Sequence, residues 1–278
     1  MKILMCTNGQ EHAEKALNFA GQLFRYTKPE TGIVTVVRRF IHPPKREEKW
    51  LGRAKSILAN YDILAETKIR EGYISDEIIR ESREGNYDLL VIGSRGYSEI
   101  LVGVTEVILG EIAQYVIQKA KTSLLVVKEP NPLHKVLICT DGSLHAEEAI
   151  HFWGKLNLPH QPKVDIINVV PEIYSRFKDI LEPVSESQLD MLGALPSKRT
   201  EYLYKAKDIL GKYAVEAKIK LREGQAAEEI LKEAENDYDL IIMGAVGRKS
   251  DKKETIGRQT RRVIRHAKIP VLVIRPKD

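Results

Sequence analysis

The sequence predicts an α/β protein of two similar domains, each with a parallel sheet covered by helices on both faces. Short apolar runs alternate with helical patterns along the chain, which is typical of right-handed strand–helix–strand units. The second half also repeats the first. Segment 238–247 repeats segment 87–96. Each segment is an apolar run that ends in a G-x-x-G turn and is too short for a buried helix. A length of 278 residues suits two domains of about 150 residues each.

Three further pairs of segments repeat in the same order. Their offsets are 133, 152 and 147 residues, so the repeated unit is domain-sized with small insertions. A period this long indicates two globular copies and not a solenoid. The pairs are 2–9 with 135–142, 70–72 with 222–224, and 124–128 with 271–275.

Strand and helix patterns alternate in the same way through both copies. The first copy predicts strands at 2–7, 31–38, 64–70, 87–93 and 123–128, and helices at 11–26, 46–60, 76–83 and 106–120. The second copy predicts strands at 135–140, 163–170, 214–222, 239–244 and 270–275, with helices between them that include a longer region at 186–213. Two prolines around Asn131 predict a short, stiff linker between domains at 1–129 and 134–278.

Composition and charge argue against several classes of protein. The chain is 43% apolar and 30% charged, no apolar run approaches the ~20 residues of a membrane-spanning helix, and the segment after Met1 is too short for a signal-peptide core. We therefore expect no membrane partner and a cytoplasmic location. A net charge of +5 is spread along the chain without a nucleic-acid-binding motif, so no nucleic-acid partner is expected. Cys6 and Cys139 occupy equivalent strands, which favours small buried side chains over a disulfide.

Ligand chemistry is expected at the carboxyl ends of the strands, where an open parallel sheet forms its crevice. Three elements of the second copy end there, and the last helix opens nine residues after the G-x-x-G turn. Glycines let backbone N–H groups approach phosphate closely, and a helix N-terminus adds unpaired N–H groups and a positive dipole end. A G-x-x-G turn alone often only closes a turn. The candidate positions are Thr140, Asp141, Gly142, Val169, Val170, Gly244, Gly247 and Gly257, with Ser143 as an N-cap.

The wider pattern around these glycines resembles the universal stress protein family. It runs G-x-x-G, nine residues, Gly257, and then R-H-A-K-I-P-V-L-V-I at 265–274, and Asp141-Gly142-Ser143 looks like the family's first-strand ending. The resemblance covers nearly the whole chain, one family domain per half. It implies two tandem Rossmann-like domains, each a parallel five-stranded sheet in the order 3-2-1-4-5. It also implies ATP or AMP as ligand, with or without Mg²⁺, the Asp lying near adenine and ribose and the glycine loop holding the phosphates.

Both copies depart from the family signature, and the first departs further. In the second copy Arg258 replaces the family's Ser or Thr, which removes a hydroxyl, keeps the backbone N–H and adds a positive charge. In the first copy Asn8 replaces the Asp, and Glu111 follows Gly110, where its carboxylate would repel a phosphate. The loop before Gly110 has thirteen residues instead of nine. The sequence therefore predicts a degraded first site at Asn8, Gly93, Gly96, Gly110 and Glu111.

The leading hypothesis is a sensor or regulator that binds adenine nucleotide in its second domain. The alternative is a nucleotide-free scaffold of the same fold that acts through protein contacts. An adenylating enzyme lacks support, because neither an H-I-G-H run nor an S-G-G-x-D-S loop occurs, and we expect no catalytic residues and at most slow ATP hydrolysis. His12 and His145 lack a second ligand at metal spacing, so no metal site is expected.

Two surface features are also predicted. Arg258, Arg261, Arg262 and Arg265 recur at helical spacing, and for all but Arg258 this is typical of a solvated helix face. The last strands, at 123–128 and 271–275, are apolar edge candidates, and an uncovered edge is a liability. Members of the family that the sequence resembles often form dimers in which these last strands pair antiparallel. We therefore expect the two halves to form an internal pseudo-dimer, with a homodimer optional.

Overall fold

A computed structural model describes residues 1–38, 45–94, 109–172, 196–247 and 256–276. The first half contains β1 (Lys2–Cys6), α1 (Glu11–Phe24), β2 (Glu30–Val37), α2 (Lys45–Ala59), β3 (Ala65–Glu71), α3 (Ile74–Glu84), β4 (Leu89–Gly93), α4 (Glu111–Lys119) and β5 (Ser123–Val127). The second half contains β6 (Lys135–Cys139), α5 (Leu144–Lys155), β7 (Lys163–Val170), α6 (Pro196–Gly211), β8 (Ala217–Glu223), α7 (Ala226–Ala234), β9 (Leu240–Gly244), α8 (Arg258–His266) and β10 (Val271–Ile274).

This element order confirms the α/β prediction, and among the described residues two boundaries differ from the predicted ones by more than two residues. The helix expected from residue 106 begins at Glu111, because Gly110 takes an extended conformation as its N-cap. The strand expected from residue 214 begins at Ala217. Ala214 has a left-handed φ of 56° and donates its N–H to the carbonyl of Gly211, which closes helix α6 first. Positions 106–108 and 186–195 of the predicted helices lie outside the described residues.

The strands form a single ten-stranded sheet in the order β3-β2-β1-β4-β5-β10-β9-β6-β7-β8. Each half follows the predicted order 3-2-1-4-5, and its strands are parallel. The halves meet where β5 and β10 pair antiparallel, with Leu125 opposite Leu272. This pairing confirms the expected internal pseudo-dimer and covers the apolar edge that each half would otherwise expose.

Helices cover both faces of the sheet because the side chains of the buried strands alternate between the faces. Ile3 and Met5 of β1 point into a core beneath α1, α2, α5 and α6, whereas Leu4 points into a second core beneath α3, α4, α7 and α8. Each core contains residues of both halves, so the apolar interior is continuous across the junction.

A pair of equivalent cations also ties the halves together. Lys128 follows β5 and is buried, and its Nζ donates hydrogen bonds to the carbonyls of Arg265 and Ala267 at the end of α8. Its repeat partner Arg275 follows β10 and donates to the carbonyl of Ala120 at the end of α4. Cations suit these positions because a helix C-terminus carries partial negative charge.

Candidate functional site

Hydrogen bonds hold the turn after β6 at the carboxyl edge of the sheet. Ser143 caps α5 as predicted, since its Oγ accepts the N–H of Ala146 at 3.3 Å, and the Oδ1 atom of Asp141 accepts the N–H of Ser143 at 3.0 Å. Gly142 has a φ of 77°, which favours glycine. A Cβ atom there would lie 2.5 Å from Cδ1 of Tyr202 on α6, so an aromatic ring covers the turn directly.

The loop after β9 comes against this turn. The Ser143 hydroxyl donates to the carbonyl of Val246 at 3.5 Å, and a Cβ atom on Gly247 would lie only 2.7 Å from Oδ2 of Asp141. The N–H of Gly257 donates to the carbonyl of Ala245 at 2.8 Å, which brings the start of α8 to the same edge. The structure thus places Asp141, Gly247 and Gly257 together, although they are far apart in the sequence.

Two of the glycines have structural roles that the sequence did not reveal. A Cβ atom on Gly244 would lie 2.7 Å from the backbone nitrogen of Ala146, so this glycine allows α5 to pack on the end of β9. Gly257 is the extended N-cap of α8, and its N–H is already used by Ala245. The N–H groups of the first turn of α8, at residues 258–260, are those that lack a partner within the helix.

The end of β7 supplies one wall residue and one buried amide. Val169 and Val170 point to opposite faces because they are consecutive in a strand, and Val169 packs with the α7 and α8 core. Only Val169 can therefore line the side of the sheet on which α8 begins. Asn168 is 1% exposed, and its Nδ2 donates to the carbonyl of Thr140 at 2.6 Å. This bond ties β7 to the turn after β6.

The first half repeats the geometry with different side chains. Gly9 has a φ of 69°, and a Cβ atom there would lie 2.1 Å from Cδ1 of Trp50, the repeat partner of Tyr202. A shared aromatic at offset 152 within otherwise dissimilar helices was a signal for this contact. Gly110 is an extended N-cap like Gly257, with φ and ψ of −63° and 154° against −65° and 157°. Glu111 and Arg258 therefore occupy matching positions.

Of the remaining first-half candidates, Asn8 and Gly93 make local contacts, and Gly96 lies outside the described residues. Asn8 accepts the N–H of Gln10 through its Oδ1 atom at 3.1 Å. A Cβ atom on Gly93 would lie 3.0 Å from the carbonyl oxygen of His12, so Gly93 mirrors the packing role of Gly244. Gly96 lies outside the described residues, as do the basic residues of the loop at 248–253.

An apolar cleft lies at this place in the first half. The cleft is partly open to solvent, and the empty space within it, open solvent included, is about 680 Å³. The carboxyl ends of β1, β2 and β4 and the facing sides of α3 and α4 form its walls. The lining residues are Cys6, Thr7, Asn8, Ala13, Val34, Val36, Ile74, Ile78, Ile92, Gly93, Ile112, Ala113 and Val116.

Burial disfavours the charged forms of three titratable side chains near the two sites. Burial raises the pKa of both thiols, Cys6 and Cys139, and both cysteines are free. Burial, with the nearby charge of Arg275, lowers the pKa of His145. Among the described residues, no group of three or more His, Cys, Asp or Glu side chains is placed to hold a metal ion.

The outer face of α8 is basic and exposed, as predicted for Arg261, Arg262 and Arg265, and Arg258 is exposed as well. Arg262 pairs with Glu228 on α7 at 2.7 Å, and Arg258 is the first residue of the helix, directly after its N-cap Gly257. None of the helices that the structure describes is both long and apolar enough to cross a membrane.

Comparisons with known proteins agree with this architecture. The chain is 30% identical to universal stress protein YxiE of Bacillus subtilis over 149 residues, which are 46% of this chain and 98% of that protein. It is 28% identical to universal stress protein MJ0577 of Methanocaldococcus jannaschii over 155 residues, 52% of this chain and 96% of that protein. Each relative is thus about as long as one half of the chain.

A solved structure of similar size shares the whole fold. A universal stress protein from Archaeoglobus fulgidus superposes with a TM-score of 0.70 and 20% identity, covering 99% of this chain and 98% of that one. The model of the Universal stress protein family matches twice, at residues 1–128 and 132–275. The chain therefore belongs to the universal stress protein family and carries two copies of the family domain in tandem.

Proposed function

We propose that the second half binds an adenine nucleotide, ATP or AMP, and that the protein works as a nucleotide-responsive regulator and not as an enzyme. One contrast carries the proposal. Helices α4 and α8 both follow an extended glycine N-cap, but α4 begins with Glu111 and α8 with Arg258. A helix N-terminus favours a bound anion, and the second half reinforces this preference with a cation where the first half opposes it with a carboxylate.

The surrounding residues fit the rest of such a ligand. The Asp141 carboxylate can accept hydrogen bonds from ribose hydroxyls, and Val169 offers an apolar wall for adenine. Gly247 has no side chain beside this carboxylate, so the backbone can approach the ligand there. Phosphates would then meet the N–H groups of residues 258–260, which lack a partner within the helix, and the Arg258 guanidinium, which can bind phosphate in bidentate fashion.

Calorimetric titration of the full chain with ATP tests the proposal. We expect about one site per chain. Arg258→Glu should weaken ATP binding by about 10- to 100-fold, the value of one or two charge-assisted hydrogen bonds, and should change adenosine binding much less. Arg265→Glu makes the same charge change at the far end of the helix and should have little effect.

The outcomes separate the hypotheses. Two equal sites, or an unchanged affinity in Arg258→Glu, would contradict the assignment to the second half. An absence of any heat with ATP and AMP would favour the nucleotide-free scaffold. Trp50 supplies a further check because its ring packs on the first-half turn. In a Trp153→Phe background, nucleotide bound in the second half should leave the fluorescence of Trp50 unchanged.

A further inference from the structure

The cleft of the first half differs in chemistry from the equivalent region of the second half. Strand register and helix caps align the two, so each lining residue has a repeat partner. At three lining positions the first half carries the less polar or uncharged side chain. Asn8, Ile112 and Ala113 stand where the second half has Asp141, Gln259 and Thr260, respectively. A fourth lining position differs in size: the first half has Ile74 where the second half has the smaller Ala226.

These differences change which ligand the cleft can hold. Every lining residue that the structure describes is uncharged, and the Cys6 thiol is protonated at neutral pH because burial raises its pKa. Burying a charged ligand group against such walls would cost free energy without a partner to offset it. Glu111, at the helix start beside Ile112, would repel an anion. Thr7 and Asn8 supply the polar atoms, since a hydroxyl and an amide can both donate hydrogen bonds.

We propose that this cleft binds an uncharged, mainly apolar small molecule, with one or two hydrogen-bond acceptors placed against Thr7 and Asn8. The first half then has a ligand class of its own and is more than a nucleotide site that has lost its function. The inference rests on the side chains of the first half and does not require nucleotide in the second.

Two dyes with the same ring system test the charge preference directly. N-phenyl-1-naphthylamine is neutral and apolar, and 1-anilinonaphthalene-8-sulfonate adds one negative charge to that framework. In fluorescence titrations of the full chain, we expect the neutral dye to saturate one site and to bind at least 10-fold more tightly than the sulfonate. Glu111→Gln should reduce the difference in affinity between the two dyes, because it removes the carboxylate that repels the sulfonate. Equal binding of the two dyes, or no saturable site, would overturn the proposal.

A variant that restores the polar side chains locates the site. The triple variant Asn8→Asp, Ile112→Gln, Ala113→Thr introduces residues that the second half already carries at these positions, so the fold should tolerate them. We expect it to weaken the neutral dye at least 10-fold. Leu64→Gln removes an 88% exposed leucine outside the cleft and should leave dye binding unchanged, which controls for adsorption to surface leucines. An unchanged affinity in the triple variant would overturn the proposal.

The same samples distinguish this proposal from nucleotide binding. Saturating ATP should not displace the neutral dye, and the triple variant should keep the ATP affinity of the unmodified chain. Displacement of the dye by ATP would place both ligands in one site and overturn the separate apolar site. A failure of the chain to bind ATP would leave the dye result intact.

Discussion

Lys128 provides a quantitative test of how the halves are joined. Its side chain is 1% exposed, and burial lowers its pKa from the ordinary 10.5 to about 8. Between these values the unfolded chain binds more protons than the folded chain, so this lysine makes the free energy of unfolding rise with pH. With folded and unfolded pKa values of about 8 and 10.5, the rise between pH 7 and pH 9 is about 1.3 kcal/mol.

The variant Lys128→Met should lack this rise, because methionine keeps the apolar stem without the ammonium group. Urea unfolding of both proteins at pH 7, 8 and 9 gives the difference in free energy, in which titrations common to both chains cancel. The unmodified chain should gain about 1.3 kcal/mol relative to the variant across this range. Lys121→Met, at an exposed lysine, should show no such trend. A flat difference for Lys128→Met would refute the argument, since it would mean that the helix-end carbonyls compensate fully for burial.

Three further predictions concern local strain, a buried ion pair and the central strand junction. Gly142→Ala should destabilise the chain by about 1–3 kcal/mol, because it strains a positive φ and displaces the Tyr202 ring. Gly52→Ala, at an open site within α2, should instead stabilise the chain by about 0.5–1 kcal/mol. Equal effects of the two substitutions in urea unfolding would contradict this reasoning. Burial opposes ionisation of Glu233, but hydrogen bonds from Lys220, Arg222 and Tyr238 outweigh it and hold the pKa of this carboxyl at about 2, below the ordinary 4.5. The stabilisation from the ionised Glu233 is therefore present above pH 4.5 and is lost as the pH falls towards 2. Glu233→Gln should lower the free energy of unfolding by about 3 kcal/mol at pH 7 and by less than half of that at pH 3. Glu235→Gln, at an exposed position, should lower it by under about 1 kcal/mol at either pH. Finally, the fragment 1–129 exposes the edge of β5 and should dimerise in analytical ultracentrifugation; a well-folded monomer at high concentration would contradict the role of the β5–β10 pairing.

Local patterns were sufficient to predict most of the architecture. Strands buried on both faces of a parallel sheet must be continuous apolar runs, and each such run ends in a turn, so β1, β4, β6 and β9 could be recognised without a structure. The duplication then indicated that both halves share one fold, and the apolar last strands indicated how they pair. Errors remained at element ends, as at Glu111 and Ala217, where one residue's backbone conformation decides the boundary.

The sequence predicted which edge of the sheet the candidate residues share, but not their detailed contacts. Parallel strands bring their carboxyl ends to one edge, which is why Asp141, Gly247 and Gly257 could be placed together from the sequence. The sequence by itself therefore determined the repeated α/β fold and the edge of the sheet at which the candidate residues meet. Only the tertiary structure decided that Gly244 serves helix packing, that Tyr202 covers the turn and that an apolar cleft lies in the first half. These features depend on contacts between segments that are far apart in the chain. A local sequence pattern does not show which distant segments come into contact.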